Sequence, residues 1–451
     1  MAGLLPAIAP PPASADLQYG FTEPSLLGLP AEEQDQMIVE IGTRLRAAVL
    51  RIDVFWALAE PECGEYDDAG YLAGVVHAVE SARANGMQPI VSVWNVPKWA
   101  SDSSFWGTFN GRPGYHGFYP IADTALDDLQ RFATHLSTLL KGQVLAYECW
   151  NEPNLWAFLY PQRARGDRLF AAHAYVKYLT SFSPGIKAGD PEALVLAGAT
   201  APRGENSRYR TSPQRFARAL KRANVDDLFD GYSHHPYCVG GRKDLDPALP
   251  PASPKYTVGT GNIDVLLEIF PDKPVYLTEF GYATAYNVAF GASVSEIQQA
   301  AYLKKSFALM ARHAQIKLLV WFQLRDWSPT NKYTNIRGLY MGLRKLKGGT
   351  KRAWYAYARG NSITLDAPEG AQRGARVRLQ GAYTCAAIGG VRGKPLVLQR
   401  KWGTKPWVTL RTVTSGDNGG YQAFVTLQRS TRYRLVFRGV VSSAAQLVRA
   451  R

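Results

Sequence analysis

Cysteine is scarce in this chain. Four residues in 451 (Cys63, Cys149, Cys238 and Cys385) are too few to staple a protein of this length as a disulfide framework. None shows C-x-x-C spacing, and the seven histidines form no H-E-x-x-H or comparable cluster, so neither a zinc site nor any other metal is expected. No apolar run reaches the roughly 18 residues of a membrane-spanning helix. No G-x-G-x-x-G follows a strand-like run, which removes the usual mark of a dinucleotide fold, and no organic cofactor is expected. Basic residues are missing from the N-terminus: the first is Arg44. The small-x-small Ala13-Ser14-Ala15 closing "MAGLLPAIAPPPASA" therefore lacks a basic n-region. Residues 1–16 are either the remnant of an export signal, which would make the protein secreted, or a disordered terminus.

What is present is an ordinary globular composition, 46% hydrophobic and 20% charged, with a formal charge of +15. That charge is unevenly spread. Residues 361–451 hold 15 Lys/Arg against Asp366, Glu369 and Asp417, whereas residues 1–360 are near balance at 37 to 34. In the tail the basic residues alternate through strand-like sequence such as "TRYRLVFRG", the pattern of a solvated sheet face. Nucleic acid is not the expected partner. Contact with an acidic glycan or cell wall is the use of this charge that the pattern suggests.

Periodicity divides the chain in two. From residue 17 to about 358, short apolar runs alternate with amphipathic helical stretches. Eight runs read as strands: 17–21, 48–56, 88–94, 144–150, 194–199, 229–235, 274–280 and 317–324. Eight βα units in about 340 residues predict a (β/α)8 TIM barrel over 17–360, with an open doubly wound sheet as the alternative. Beyond Asn361 the period becomes 2, with turn clusters such as "SGDNGG", and residues 361–451 predict a small all-β, Ig-like sandwich.

In a barrel, the segments after the strands share one rim, and that rim is where barrel enzymes place their chemistry. "YECWNEPNLW" puts Glu152 just past strand 4, and "YLTEFGY" puts Glu279 at the end of strand 7. Two carboxylates facing each other across an aromatic-lined mouth suit glycoside cleavage: one protonates the departing oxygen while the other attacks, or activates water, at the anomeric carbon. An arginine and a tyrosine beside Glu279 would keep it ionised. Burial near Trp150 and the charge of Glu279 would raise the proton affinity of Glu152.

"WNEPN" at 150–154 together with "TEFGY" at 278–282 resembles the retaining glycoside hydrolases of clan A, both the cellulase-like family 5 and the xylosidase-type family 39. The resemblance implies Glu152 as general acid/base, Glu279 as nucleophile, and Asn151 as partner of the sugar 2-hydroxyl. It also implies roles for Arg51 on strand 2, for His235 and Tyr237 in "HPY", and for Trp321 as the floor of the sugar subsite. A carboxyl separation of about 5 to 5.5 Å would follow from a retaining mechanism. Arg51 also has a purely structural reading, as partner of Glu148, which shares the face of Trp150 and Glu152 if the strand alternates.

Asn95 is expected to face the pocket, and Trp156 and Trp327 are expected subsite residues. The aromatic loop 95–119 fits either sugar stacking or hydrophobic packing onto the barrel. The expected partner is thus an oligosaccharide, polysaccharide or glycoside; a non-catalytic carbohydrate-binding barrel is the alternative. Cys63 and Cys238 fall after strands 2 and 6, on opposite sides of the mouth, and are not expected to be bridged.

Overall fold

The computed structural model describes residues 17–109, 116–239, 245–285, 292–327, 340–358, 361–385, 389–390, 392–437 and 441–451. The segment 1–16 and Tyr115 lie outside them, as do parts of the loops after strands 6, 7 and 8.

Eight parallel strands close a barrel: β1 (Gln18–Thr22), β2 (Val49–Phe55), β3 (Gln88–Trp94), β4 (Ala146–Cys149), β5 (Leu194–Thr200), β6 (Gly231–His234), β7 (Val275–Phe280) and β8 (Ile316–Phe322). Closure is made by β8 against β1, from Gln18 opposite Leu318 to Thr22 opposite Phe322. Because side chains alternate along a strand, each strand feeds two layers. Val49, Ile90, Ala146, Leu196, Tyr276, Leu318 and Val320 fill the barrel interior, while Ile52, Val91, Tyr147, Leu319 and Trp321 pack outward against the helices.

One step up the strands, the interior turns polar. Two residues beyond Val49, Ile90, Ala146 and Tyr276 come Arg51, Ser92, Glu148 and Thr278, all fully buried. The apolar plug thus supports a charged layer directly beneath the rim.

After the barrel, the short helix Arg352–Tyr357 leads into β9 (Asn361–Ile363), β10 (Gly370–Ala371), β11 (Arg376–Cys385), β12 (Gly389–Gly390), β13 (Pro395–Lys401), β14 (Val408–Thr414), β15 (Gly420–Thr426), β16 (Thr431–Phe437), β17 (Val441–Ser442) and β18 (Gln446–Ala450). One sheet runs β10-β18-β16-β13-β14 with β17 on β16; the other runs β12-β11-β15 with β9 on β11. Leu379, Tyr383, Leu396, Leu398, Leu435 and Phe437 are buried between them. Tyr355 meets Phe437 edge-on at 4.7 Å, which ties the sandwich to the last barrel helix. Among the described residues no helix is long and apolar enough to cross a membrane. Cys63, Cys149 and Cys238 are free thiols, so Cys63 and Cys238 are unbridged, as expected.

Candidate active site

The site is built around Arg51, whose guanidinium is fully buried. Its Nε donates to Glu148 Oε2 at 2.7 Å. Nη1 donates to Glu279 Oε1 at 3.0 Å and lies 3.1 Å from Asp53 Oδ1. Nη2 donates to Ser92 Oγ at 2.9 Å and Asn151 Oδ1 at 2.8 Å. The guanidinium makes four hydrogen bonds, with Asp53 as a further ion-pair partner, a pattern a lysine ammonium with three donors cannot reproduce. The two readings of Arg51 from sequence, partner of Glu148 and partner of Glu279, both hold at once.

Glu279 reaches this layer because β7 departs from regular alternation. Its register against β8 shifts between Leu277 and Phe280. Thr278 and Glu279 consequently both point inward, Thr278 donating to Glu148 Oε1 at 2.8 Å and Glu279 contacting Arg51. Re-aiming one side chain is what such a bulge does. The other oxygen of Glu279 accepts from the Tyr237 hydroxyl at 3.0 Å.

Glu152 arrives by a different device. β4 stops at Cys149, and Trp150 and Glu152 adopt left-handed backbone angles, φ 74° and 40°. Such conformations cost on the order of 1–3 kcal/mol each, and the surrounding contacts hold them. Trp150 N–H donates to Val93 O and Glu152 N–H to Ala199 O, both at 2.9 Å. The turn overturns the expectation that Trp150 shares a face with Glu148 and Glu152. The indole points outward instead, 5.1 Å from Tyr178, with Nε1 donating to Phe158 O. Asn151 and Glu152 take the mouth. Since Asn151 Oδ1 accepts from Arg51, its amide N–H2 is left for the cavity.

His235 stands between the two acids. Its Nδ1 is 2.9 Å from Glu152 Oε1 and 3.6 Å from Glu279 Oε2, and oxygens of the two carboxylates come within 4.8 Å. Burial, together with the charge of Arg51, pushes the imidazole well below its usual range, so it is neutral. Burial raises both acids. For Glu152 the charge of Glu279 adds to it, and it rises well above the ordinary carboxylate range. Glu279 is pushed up by burial only to about 7, because Arg51 and the Tyr237 hydroxyl draw it back while Asp53 and Glu148 push it up. The same environment thus separates two like groups, leaving Glu152 the better proton holder. Glu152, His235 and Glu279 could also offer three ligand atoms to a cation. Arg51 and Tyr237 already supply Glu279 with its counter-charge and hydrogen bond.

Two residues that sequence reasoning passed over belong to this cluster. Asp53, held by Arg51 and by Trp94 Nε1 at 3.1 Å, keeps its side chain 10% exposed, matching Glu279 at 10% and close to Glu152 at 13%. Its signal was the i+2 spacing from Arg51. The second is Phe322. Trp321, expected to floor the subsite, is fully buried on the helix side of β8, with Nε1 donating to Met341 O and its ring edge-on to Phe280 at 5.8 Å. Alternation gives the mouth to Phe322, which clusters with Tyr237 and Met341.

The outer residues are less gathered. Asn95, φ 71°, lays its amide against Gly117, where an added Cβ would come within 2.6 Å of it. Trp156 stacks on Phe109 at 4.6 Å, and Trp99 is edge-on to Trp56 with Nε1 bonded to Glu60 O. For these rings hydrophobic packing of the loop accounts for their positions. Trp327 is half-buried.

A barrel with an acid pair, a buried arginine and a tyrosine at the C-terminal rim has the architecture of a glycoside hydrolase. The chain belongs to the cellulase family, glycosyl hydrolase family 5, whose model matches residues 25–323. No curated protein matches. Solved structures with a similar fold include a family 39 glycoside hydrolase from the gut symbiont Bacteroides cellulosilyticus WH2, at 16% identity and TM-score 0.51 over 94% of this chain and 81% of that one. A family 39 β-xylosidase from Caulobacter crescentus aligns at 18% and 0.51 over 85% and 82%. A GH5_18 protein from Streptomyces cattleya, solved with GlcNAc, aligns at 12% and 0.53 over 76% and 79%. The resemblance to clan A glycosidases read from "WNEPN" and "TEFGY" is borne out.

Proposed function

We propose that this protein is a secreted, retaining β-glycosidase acting on a β-glucoside, β-xyloside or related plant or microbial glycan. Glu279 is the nucleophile and Glu152 the acid/base. The observation that carries this reading is the approach of the two carboxylates to within 4.8 Å. Retaining enzymes keep their carboxyls about 5–5.5 Å apart, whereas inverting ones leave about 6.5–9.5 Å for a water.

The local contacts support each step. Arg51 and Tyr237 oppose the burial that raises Glu279 and orient its carboxylate for attack on the anomeric carbon. Neutral His235 donates its Nδ1 proton to Glu152 Oε1, which leaves the acid proton on Oε2 for the departing oxygen. As the anomeric C–O bond breaks and the glycosyl–Glu279 ester forms, the negative charge on Glu279 disappears. Glu152, now a carboxylate relieved of that repulsion, takes a proton from water, and hydroxyl attack at the anomeric carbon releases Glu279. The Asn151 amide N–H2, its Oδ1 being taken by Arg51, donates to the sugar 2-hydroxyl in this reading.

The test is hydrolysis of a panel of aryl β-glucosides, β-xylosides, β-galactosides, α-L-arabinosides and polysaccharides by wild type and Glu279→Ala. Turnover should fall by a factor on the order of 10⁴ or more in the variant. Activity that survives the substitution contradicts the assigned nucleophile, and turnover of no substrate by wild type favours the carbohydrate-binding barrel. Export is tested separately, by N-terminal sequencing of protein recovered from culture medium.

A further inference from the structure

We propose that the outer face of the sheet β14-β13-β16-β18 is a second carbohydrate site, one that binds an anionic polysaccharide bearing uronate carboxylates. Cross-strand pairing sets Lys401 opposite Arg432 and Gln399 opposite Arg434, and residues paired in this way share a face. Leu447 lies opposite Arg432, so Arg449, two residues on, is on that face too. Strand spacing puts these cations about 7 Å apart along a strand and about 5 Å apart between strands, an array suited to charges carried on successive sugar rings.

The arginines are also held in place. The Arg434 guanidinium stacks 4.3 Å from the centre of the Trp407 ring, and its Nε donates to Gln399 Oε1 at 2.9 Å. Lys401 Nζ is 6.0 Å from the same ring. A guanidinium flattened on an indole keeps its edge donors free and loses little freedom on gripping a carboxylate in two-point fashion.

Acids are sparse in this domain. Residues 361–451 contain three acids, of which Asp417 pairs with Arg392 at 2.7 Å. Among the described residues no carboxylate pairs with Lys401, Arg432 or Arg434. An unpaired cationic sheet face calls for a polyanion, and membership of a cellulase family makes a polysaccharide the favoured one; to that extent the inference rests on the carbohydrate reading of the barrel.

The test is affinity electrophoresis of the full chain through gels containing polygalacturonate or neutral arabinoxylan, with RNA and phosphatidylserine vesicles as competitors. Polygalacturonate should retard wild type and arabinoxylan should not. The effect should weaken about tenfold in Arg432→Gln/Arg434→Ala and vanish near about 0.5 M NaCl. Arg432→Gln alone, at an exposed position, should weaken retardation without changing the melting temperature, and aryl glycoside turnover should stay unchanged in both variants. Absence of retardation, equal retardation of wild type and variants, or preferential displacement by RNA or vesicles would each overturn the proposal. Retardation is read without turnover, so an inactive barrel that is retarded sinks only the glycosidase reading, and an active one that is not retarded sinks only this inference.

Discussion

At the residue scale, the site depends on how one arginine divides its contacts among Glu148, Glu279, Asp53, Ser92 and Asn151. Lysine keeps the charge but leaves buried acceptors without donors, so Arg51→Lys should cost about 3 kcal/mol in urea unfolding. It should also lower kcat/KM about 100-fold, because Glu279 loses its orientation. Asp53 and Tyr237 act on Glu279 with opposite sign. On the proposed mechanism Glu279 must be ionised to attack, and it is raised to about 7, so the acid limb of kcat/KM should fall near there. The charge of Asp53 helps to raise it: Asp53→Asn should move that limb to lower pH. The Tyr237 hydroxyl stabilises the carboxylate: Tyr237→Phe should move the limb to higher pH and lower kcat/KM about tenfold. A pH–rate profile of each variant checks both directions, and shifts of the same sign would contradict the assignment. Glu152 and Glu279 were legible in the sequence because each sits at or just past a strand end in special context, and Arg51, His235 and Tyr237 through the resemblance to clan A. Asp53 was not, because an acid two residues after an arginine on a buried strand looks the same whether it serves the fold or the mouth.

At the scale of the element, two breaks in alternation decide which side chains face the mouth of the barrel. The left-handed turn at Trp150 swaps Asn151 and Glu152 into the mouth and sends the indole to the helix layer. The bulge in β7 brings in Glu279 beside Thr278. Neither is visible to a period-2 reading, since sequence spacing carries no record of where a strand stops pairing. β8 shows the converse: alternation there is regular, and it puts Trp321 in the core and Phe322 at the mouth. Trp321→Leu should therefore destabilise the protein by about 3 kcal/mol while leaving KM within about twofold. Phe322→Leu, a smaller loss of packing at the mouth, should raise KM about tenfold with less effect on unfolding. Unfolding curves and initial rates on one aryl glycoside separate the two; the opposite pattern would return the subsite floor to Trp321.

At the scale of the whole molecule, the barrel was legible because its eight apolar runs alternate with amphipathic helices, and every predicted run overlaps an observed strand. The β-sandwich was legible from the change of period after Asn361. Loop packing was not: Trp156 and Phe109 meet only because two rim loops fold onto each other, which depends on contacts remote in sequence. The architecture brings two acids within 4.8 Å of each other, and the proposed mechanism divides them into nucleophile and acid/base. The most direct measurement is trapping with an activated 2-deoxy-2-fluoro-β-glycoside of the best substrate, followed by mass spectrometry of the intact chain and its peptides. The account predicts a single covalent glycosyl label on Glu279, formed as activity is lost. A label on Glu152 or Asp53, or continued turnover of a natural β-glycoside with no label at any residue, would contradict it.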